Sequence, residues 1–339
     1  MPEFIIDADI RRAHTLPSAF YTDDRFFEAA REQIFARSWQ FVGTADEVDN
    51  LKPLILLEGV LDEPVLLSGN DGSITCLSNV CTHRGKILVE EPCNAGLIRC
   101  GYHGRRFSLD GSFLSMPEFD GVEDFPSEAD DLRHLPLETW GPFLFASLSP
   151  NASFAEFLGN AAGTIDISSY EDARLASRRD FMVNAHWALY CENYLEGFHI
   201  PYVHQSLNKV VDYGTYTTDT YRYSSVQTGY EEDGTLAGIY LFIFPNLMFN
   251  FYPWGISLNV VRPISPSRSV IEYFSYVSDD SKLNCGAGGD LETVELEDDR
   301  VVESVQKGIR SRSYDRGRYS PTREQGTHHF HRLIAEFIG

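Results

Sequence analysis

The sequence predicts an α+β protein in two unequal parts, a small all-β module followed by a larger unit of strands and helices. Three observations predict it. Between Phe41 and Ser149 the chain runs in short alternating or apolar stretches broken by turn residues, with Asn70-Asp71-Gly72 and Asp110-Gly111 as hairpin turns. From Tyr213 to Ser278 it is strand-rich again, with a hairpin at Asp233-Gly234 and dense aromatics from Tyr240 to Trp254. Helical periodicity falls outside these two stretches.

Taken in order, Thr22 as N-cap and the stripe Phe26, Phe27, Ala30, Ile34 and Phe35 predict an amphipathic helix over 22–39. Strands follow at Pro53–Glu58, Glu63–Ser68, Ile74–Asn79, Gly96–Cys100 and Pro142–Leu148. Residues 151–160 read as helix and 179–189 as a strand leading into one. Residues 190–205 keep helical spacing, interrupted by Pro201. After a flexible connection at 281–289, a long helix is predicted from Leu291 to Lys307 and a last one from Gly326 to the end.

The 339 residues carry 28 basic and 50 acidic side chains, a net charge of −22. A surface that acidic repels phosphate backbones and anionic headgroups, so neither nucleic acid nor membrane is an expected partner. No window approaches the ~18 uninterrupted apolar residues of a membrane span. The start Met-Pro-Glu-Phe-Ile-Ile-Asp lacks the pattern of a secretory signal, and a cytoplasmic location is expected. Six scattered cysteines are too few for a disulfide framework and suggest metal first. Cys76 and Cys93 are expected to be buried structural thiols.

The remaining pattern is Cys81-x-His83, sixteen residues, then Cys100-x-x-His103. Two thiolates and two imidazoles suit tetrahedral zinc or a diiron cluster whose second iron takes histidine. Zinc hairpins usually pair cysteine with cysteine in one knuckle, whereas here each loop mixes both. Two mixed loops can each give one sulfur to one iron and one nitrogen to the other, which favours the [2Fe–2S] cluster.

A second constellation lies in Tyr190–His204. Asn193, Glu196 and His199 are spaced to share one helix face. His199 and His204 would be about 140° out of register on a regular helix, and a kink at Pro201 is expected to bring them together. A two-histidine iron site wants one carboxylate and keeps positions open for dioxygen. Among Glu292, Glu295, Glu297, Asp298, Asp299 and Glu303, helical phase selects Asp298, which shares the apolar stripe of Leu291, Val294, Val302, Val305 and Ile309. Glu295 is its nearest rival. Glu297, Asp299 and Glu303 read as the solvated face.

Both loops, together with Trp39-Gln-Phe-Val-Gly43, Glu192–His204, Phe244-Pro-Asn-Leu-Met248 and Glu297-Asp298 followed by Glu303–Gly308, give a chain that resembles the catalytic α subunits of Rieske non-haem iron oxygenases over almost its whole length. The resemblance implies a Rieske β domain at 40–150 and a helix-grip catalytic domain at 151–339. Residues 1–39 would be a helical segment packed on the latter. Cys81 and Cys100 would then hold one cluster iron and His83 and His103 the other. His199, His204 and Asp298 would hold the catalytic Fe(II). Glu196 would bridge His103 of one subunit of a homotrimer to His199 of the next, and Asn193 would support the iron site. The family commonly has Asp at the Glu196 position, a difference in length rather than chemistry.

With no nicotinamide or flavin fingerprint of its own, the chain would receive NAD(P)H-derived electrons from a separate reductase, with or without a ferredoxin, and use them with O2. A bare Rieske electron carrier would need only the first ~110 residues and leaves the second constellation unused. Thr15-Leu-Pro, the Glu196–His204 segment and the end from Gly308 with His328-His-Phe-His331 resemble the choline/carnitine monooxygenase-like branch. That resemblance implies hydroxylation or oxidative N-demethylation of a quaternary ammonium compound, for which the 240–254 aromatics could form a cage. The same aromatics would suit an arene, so hydroxylation or dihydroxylation of a ring is the alternative. His328, His329 and His331 are expected in surface or packing roles.

Overall fold

The computed structural model describes residues 4–204, 212–278, 281, 285–286 and 289–339, with 285–286, 289–293 and 295 described by backbone alone. The chain divides into two compact units, residues 36–151 and residues 1–35 with 152–339. The expected flexible connection at 281–289 lies largely outside the described residues.

The smaller unit is all β. Its largest sheet orders β2 (Leu51–Leu56), β3 (Glu63–Asn70), β4 (Ser73–Ser78) and β8 (His134–Leu135), all antiparallel. A second sheet runs β1 (Gln40–Thr44), β10 (Phe143–Ala146), β9 (Leu137–Trp140), and a third joins β5 (Ile98–Arg99), β6 (Arg106–Phe107) and β7 (Phe113–Ser115). Strand alternation splits the apolar residues between two cores. Val65, Leu67 and Cys76 pack with Val42, Leu144 and Ala146. Leu66 and Leu77 face the other way, onto Ile98, Phe107, Cys81 and Cys100. The β3–β4 turn uses Asp71 and Gly72 at φ 49° and 79°, the left-handed pair of a type I′ hairpin. Cys76 is buried as expected, but Cys93 is exposed. It bridges by backbone to Leu51, and its side chain faces outward from that edge.

The larger unit is built on one seven-stranded antiparallel sheet. Strands β12 (Thr217–Thr220), β13 (Ser224–Tyr230), β14 (Leu236–Ile243), β15 (Leu247–Tyr252), β16 (Gly255–Ser265) and β17 (Arg268–Val277) form a meander, and β11 (Arg174–Val183) pairs with β17 at its far edge. Every residue of β15 is buried, so both faces of this aromatic strand are core. Helix α7 (Gln325–Ile338) covers one face through Phe330, whose ring lies 5.5 Å from Phe242 and 5.9 Å from Phe244.

The first helix is shorter than the periodicity suggests. Helix α1 spans Asp24–Ala29, capped by the Asp23 side chain, which accepts from Arg25 N. A π turn over Ala30–Ile34 and a 3₁₀ turn over Phe35–Arg37 continue it. Two short helices, α2 (Phe154–Leu158) and α3 (Ala161–Thr164), precede β11. Helix α4 (Trp187–Tyr194), helix α5 (Ile200–Val203) and helix α6 (Leu291–Ile309) carry the residues of the second constellation. Among the described residues no helix is long and apolar enough to cross a membrane.

Candidate metal centres

The two cysteine loops of the smaller unit close the same way. Cys81 N donates to Lys86 O at 2.8 Å and Gly85 N to Cys81 O at 3.0 Å; Cys100 N donates to Arg105 O at 2.8 Å and Gly104 N to Cys100 O at 3.1 Å. Gly85 and Gly104 make these turns at φ 69° and 76°, where a side chain would be strained. Both thiols are buried, at 3 % and 2 % exposure. Burial pushes the Cys81 thiol up. At Cys100 burial acts in the same direction, but the N–H groups of Tyr102 and His103, the Cys81 thiol and the Lys86 charge outweigh it and hold the thiol below its ordinary value.

The two imidazoles stand edge to face with ring centres 4.8 Å apart. His83 is held below its ordinary pKa by burial and by the nearby charges of His103, Arg84 and Arg105. His103 Nδ1 is buried and has no hydrogen-bond partner among the described residues. An orphaned imidazole nitrogen beside two buried thiols fits a sulfur- and nitrogen-ligated cluster.

Sequence reasoning missed Arg105. It is 2 % exposed, donates to the Asp130 carboxylate at 2.6 Å and to Asp130 O at 3.1 Å, and lies over the rings of Phe113 and Phe125. It thereby anchors the carbonyl that Cys100 N uses. An arginine right after Cys-Gly-Tyr-His-Gly was the only available signal.

The second centre lies where α4 stops. Leu195 N donates to both Cys191 O and Glu192 O, and the chain leaves the helix before Glu196. Asn193, Glu196 and His199 therefore do not share one helix face. The break falls at 195–199 rather than at Pro201, which sits in the first turn of α5, where its missing N–H costs nothing. Glu196 shapes the turn: Oε2 accepts from Phe198 N and from His199 N at 3.1 Å, while Oε1 contacts His199 Nδ1 at 2.8 Å.

His199, His204 and Asp298 each offer a ligand atom, and these lie within 4.8 Å of one another. His204 Nε2 is 2.9 Å and His199 Nε2 3.6 Å from Asp298 Oδ1, which also accepts from Asn193 Nδ2 at 2.7 Å. Two imidazoles and a carboxylate of this kind fit a ferrous ion with positions left open. Each imidazole is held at Nδ1 by a glutamate, since Glu297 Oε2 lies 2.8 Å from His204 Nδ1, leaving both Nε2 atoms for a metal. Burial pushes His204 down, but Asp298 and Glu297 outweigh it and its pKa is raised.

The expected solvated face of α6 is thus corrected at three residues. Glu297 holds His204, Glu303 Oε1 accepts from Asn184 N at 2.9 Å, and Asp299 is half-buried, its pKa pushed up to about 6 by burial and by Asp298 and Glu303. The inward face is centred on Val302, Gln306 and Ile309, a phase that includes Asp299, while Val305 is exposed. The side chains of Glu292 and Glu295 lie outside the described residues. His331 is 1 % exposed, with Nδ1 2.6 Å from Tyr319 Oη and Nε2 3.1 Å from Glu192 Oε1, and His328 Nε2 lies 2.8 Å from Asp7 O. Both serve packing.

Four tyrosines from separate places in the chain form a cluster, of which Tyr216 lies beside the turn carrying Glu196 and Gly197. Tyr216 and Tyr240 have ring centres 6.3 Å apart and Tyr240 and Tyr252 6.4 Å, with Trp254 stacked on Tyr252 at 5.0 Å. Tyr194 donates to Phe249 O at 3.2 Å. Burial raises its phenol, as do the neighbouring Tyr216, Tyr252 and Tyr240. Tyr216 is raised by burial, by Tyr240 and by the charge of Glu196, which puts it beside the turn that carries His199.

The family model described as the Rieske [2Fe-2S] domain matches residues 38–126, and that described as the ring hydroxylating alpha subunit (catalytic domain) matches residues 214–339. The chain is 30 % identical to the chloroplastic choline monooxygenase of Arabidopsis thaliana over 98 % of its length and 85 % of that protein. It is equally 30 % identical to the carnitine monooxygenase oxygenase subunit of Escherichia coli K12, covering 99 % of this chain and 98 % of the other. Among solved structures, the quaternary ammonium Rieske monooxygenase CntA superposes with a TM-score of 0.83 at 26 % identity, over 98 % of this chain and 97 % of that one. Naphthalene 1,2-dioxygenase shares the fold, with a TM-score of 0.75 at 19 % identity over 96 % and 92 %.

Proposed function

This chain belongs to the Rieske ring-hydroxylating oxygenase α subunits, and from that premise we propose that it is the oxygenase component of a quaternary ammonium monooxygenase. The observation that carries the reading is the cluster of Tyr194, Tyr216, Tyr240 and Tyr252, whose member Tyr216 lies near Glu196, the residue that contacts His199. Aromatic faces attract a trimethylammonium head, and a net charge of −22 draws cations rather than anions. The relatives named for choline and carnitine oxidation support the same class.

Cys81, His83, Cys100 and His103 would hold a [2Fe–2S] cluster, and His199, His204 and Asp298 a ferrous iron. Bound there, these groups supply one-electron transfer and the reductive activation of dioxygen for C–H oxidation. One oxygen atom enters the substrate and the other leaves as water, consuming two electrons and two protons. Asn193 fixes Asp298, Glu196 and Glu297 fix the two imidazoles, and the tyrosines hold the cation. Glu196 would also link His199 to His103 of a neighbouring copy in a homotrimer. Electrons would come from NAD(P)H through a separate reductase, with or without a ferredoxin, in the cytoplasm.

The test is oxygen uptake, with a competent reductase, against choline, carnitine, betaines and a panel of arenes. Uptake coupled to aldehyde release from a quaternary amine is expected. Product from arenes alone would replace this reading with ring oxidation.

A further inference from the structure

A cavity of about 370 Å³ opens beside Gly197, walled by Tyr216, Thr218, Asp219, Thr322 and Arg323. Gly197 lies between Glu196 and His199 in the turn that forms the metal centre, and Tyr216 belongs to the tyrosine cluster. The cavity therefore adjoins the proposed substrate space through a shared wall.

Arg323 is fixed in place. Its guanidinium carbon lies 3.9 Å above the centre of the Tyr213 ring, and Nη1 donates to Tyr213 O at 3.0 Å. That leaves most of its N–H groups unspent. Among the described residues it forms no ion pair, although the chain holds 50 acidic side chains against 28 basic ones. A guanidinium held on an aromatic ring, with free donors at a cavity, is suited to a planar carboxylate taken through two N–H bonds.

We propose that Arg323 is a carboxylate anchor, so that the preferred substrate is a trimethylammonium carboxylate rather than choline. The cationic head enters the tyrosine cluster and the carboxylate reaches Arg323, with Thr218 and Thr322 beside it. This rests on the quaternary ammonium reading and decides between its two kinds of relative, one acting on an alcohol and one on an amino acid derivative.

Calorimetric binding to the anaerobic, metal-loaded protein without reductase separates the two statements, with γ-butyrobetaine, choline and plain butyrate as probes. Arg323→Gln should weaken γ-butyrobetaine by about tenfold or more and leave choline within about twofold, as expected for loss of one charge-assisted pair. Arg323→Lys, which keeps the charge but not the fork, should fall between. Butyrate should compete with γ-butyrobetaine in the natural protein and not in Arg323→Gln. Unchanged γ-butyrobetaine affinity in Arg323→Gln, or equal loss of choline and γ-butyrobetaine in both variants, overturns the anchor. If no quaternary amine binds but butyrate does so through Arg323, the anchor stands and the quaternary ammonium reading falls. If neither binds, both fall.

Discussion

His204 is gripped from both sides by consecutive residues of one helix: Glu297 Oε2 lies 2.8 Å from Nδ1 and Asp298 Oδ1 2.9 Å from Nε2. Because the imidazole is 1 % exposed, neither contact can be replaced by water without rebuilding the centre. Asp298→Ala should empty the mononuclear site and keep the cluster. Glu297→Ala should weaken iron retention by about 10- to 100-fold, with Glu297→Gln recovering part of it, because the partner of a ligating imidazole fixes its ring and tautomer. Iron per chain after dialysis against a chelator reads both. Full retention in Glu297→Ala would return that residue to the solvated face.

Glu196 touches His199 through Nδ1 and backbone alike. Glu196→Ala should retain the cluster, weaken retention of the mononuclear iron much as Glu297→Ala does and, once reloaded with iron, slow reoxidation of the reduced cluster, followed by stopped-flow absorbance under single turnover. Normal reoxidation would show that electrons take another route.

The proposed cluster ligands Cys81, His83, Cys100 and His103 predict composition and colour. Anaerobically purified protein should hold one [2Fe–2S] cluster and one further iron per chain, with little zinc and the low average g value of a Rieske centre. His83→Cys or His103→Cys should lower the potential by about a few hundred millivolts, since imidazole ligation is what raises it. A colourless zinc protein would refute the assignment.

The Arg105–Asp130 pair makes the smaller unit acid-sensitive. Hydrogen bonds from Arg105 and from Ser127 N hold the Asp130 carboxyl below its ordinary 3.8. A depressed carboxyl contributes stability above its unfolded pKa and loses it as pH falls through the folded one. Cluster bleaching should therefore set in below about pH 4 in the natural protein. Asp130→Ala, which strands a buried guanidinium, should cost about 3 kcal/mol at neutral pH, read by denaturant titration.

What could be read from the sequence was what lies close together in it. Each cysteine–histidine loop is a single turn, so spacing alone exposes its donor set. The His199–His204 pair is equally local, but its geometry was not legible, because the break lies not at the expected Pro201 but upstream at 195–199, where Glu196 organises it through backbone N–H groups. Glu297 was assigned to solvent because helical phase treats a face as a sharp boundary. A glutamate one position from the stripe still reaches an imidazole that another segment brings over it. The tyrosine cluster draws on residues 194, 216, 240 and 252, and only tertiary packing of a helix, a loop and two strands makes them neighbours.

Gly197 sets a limit on how this enzyme can be redesigned. A methyl group there would stand 2.8 Å from Tyr216 Cε1, closer than real side chains come. Room for a bulkier head group thus cannot come from the loop that bears the proposed metal ligands, since the smallest substitution at 197 already forces either the ring or the histidine-bearing backbone to move. Laboratory evolution toward larger amines should find its gains at Tyr216 or Tyr240, with position 197 left as glycine.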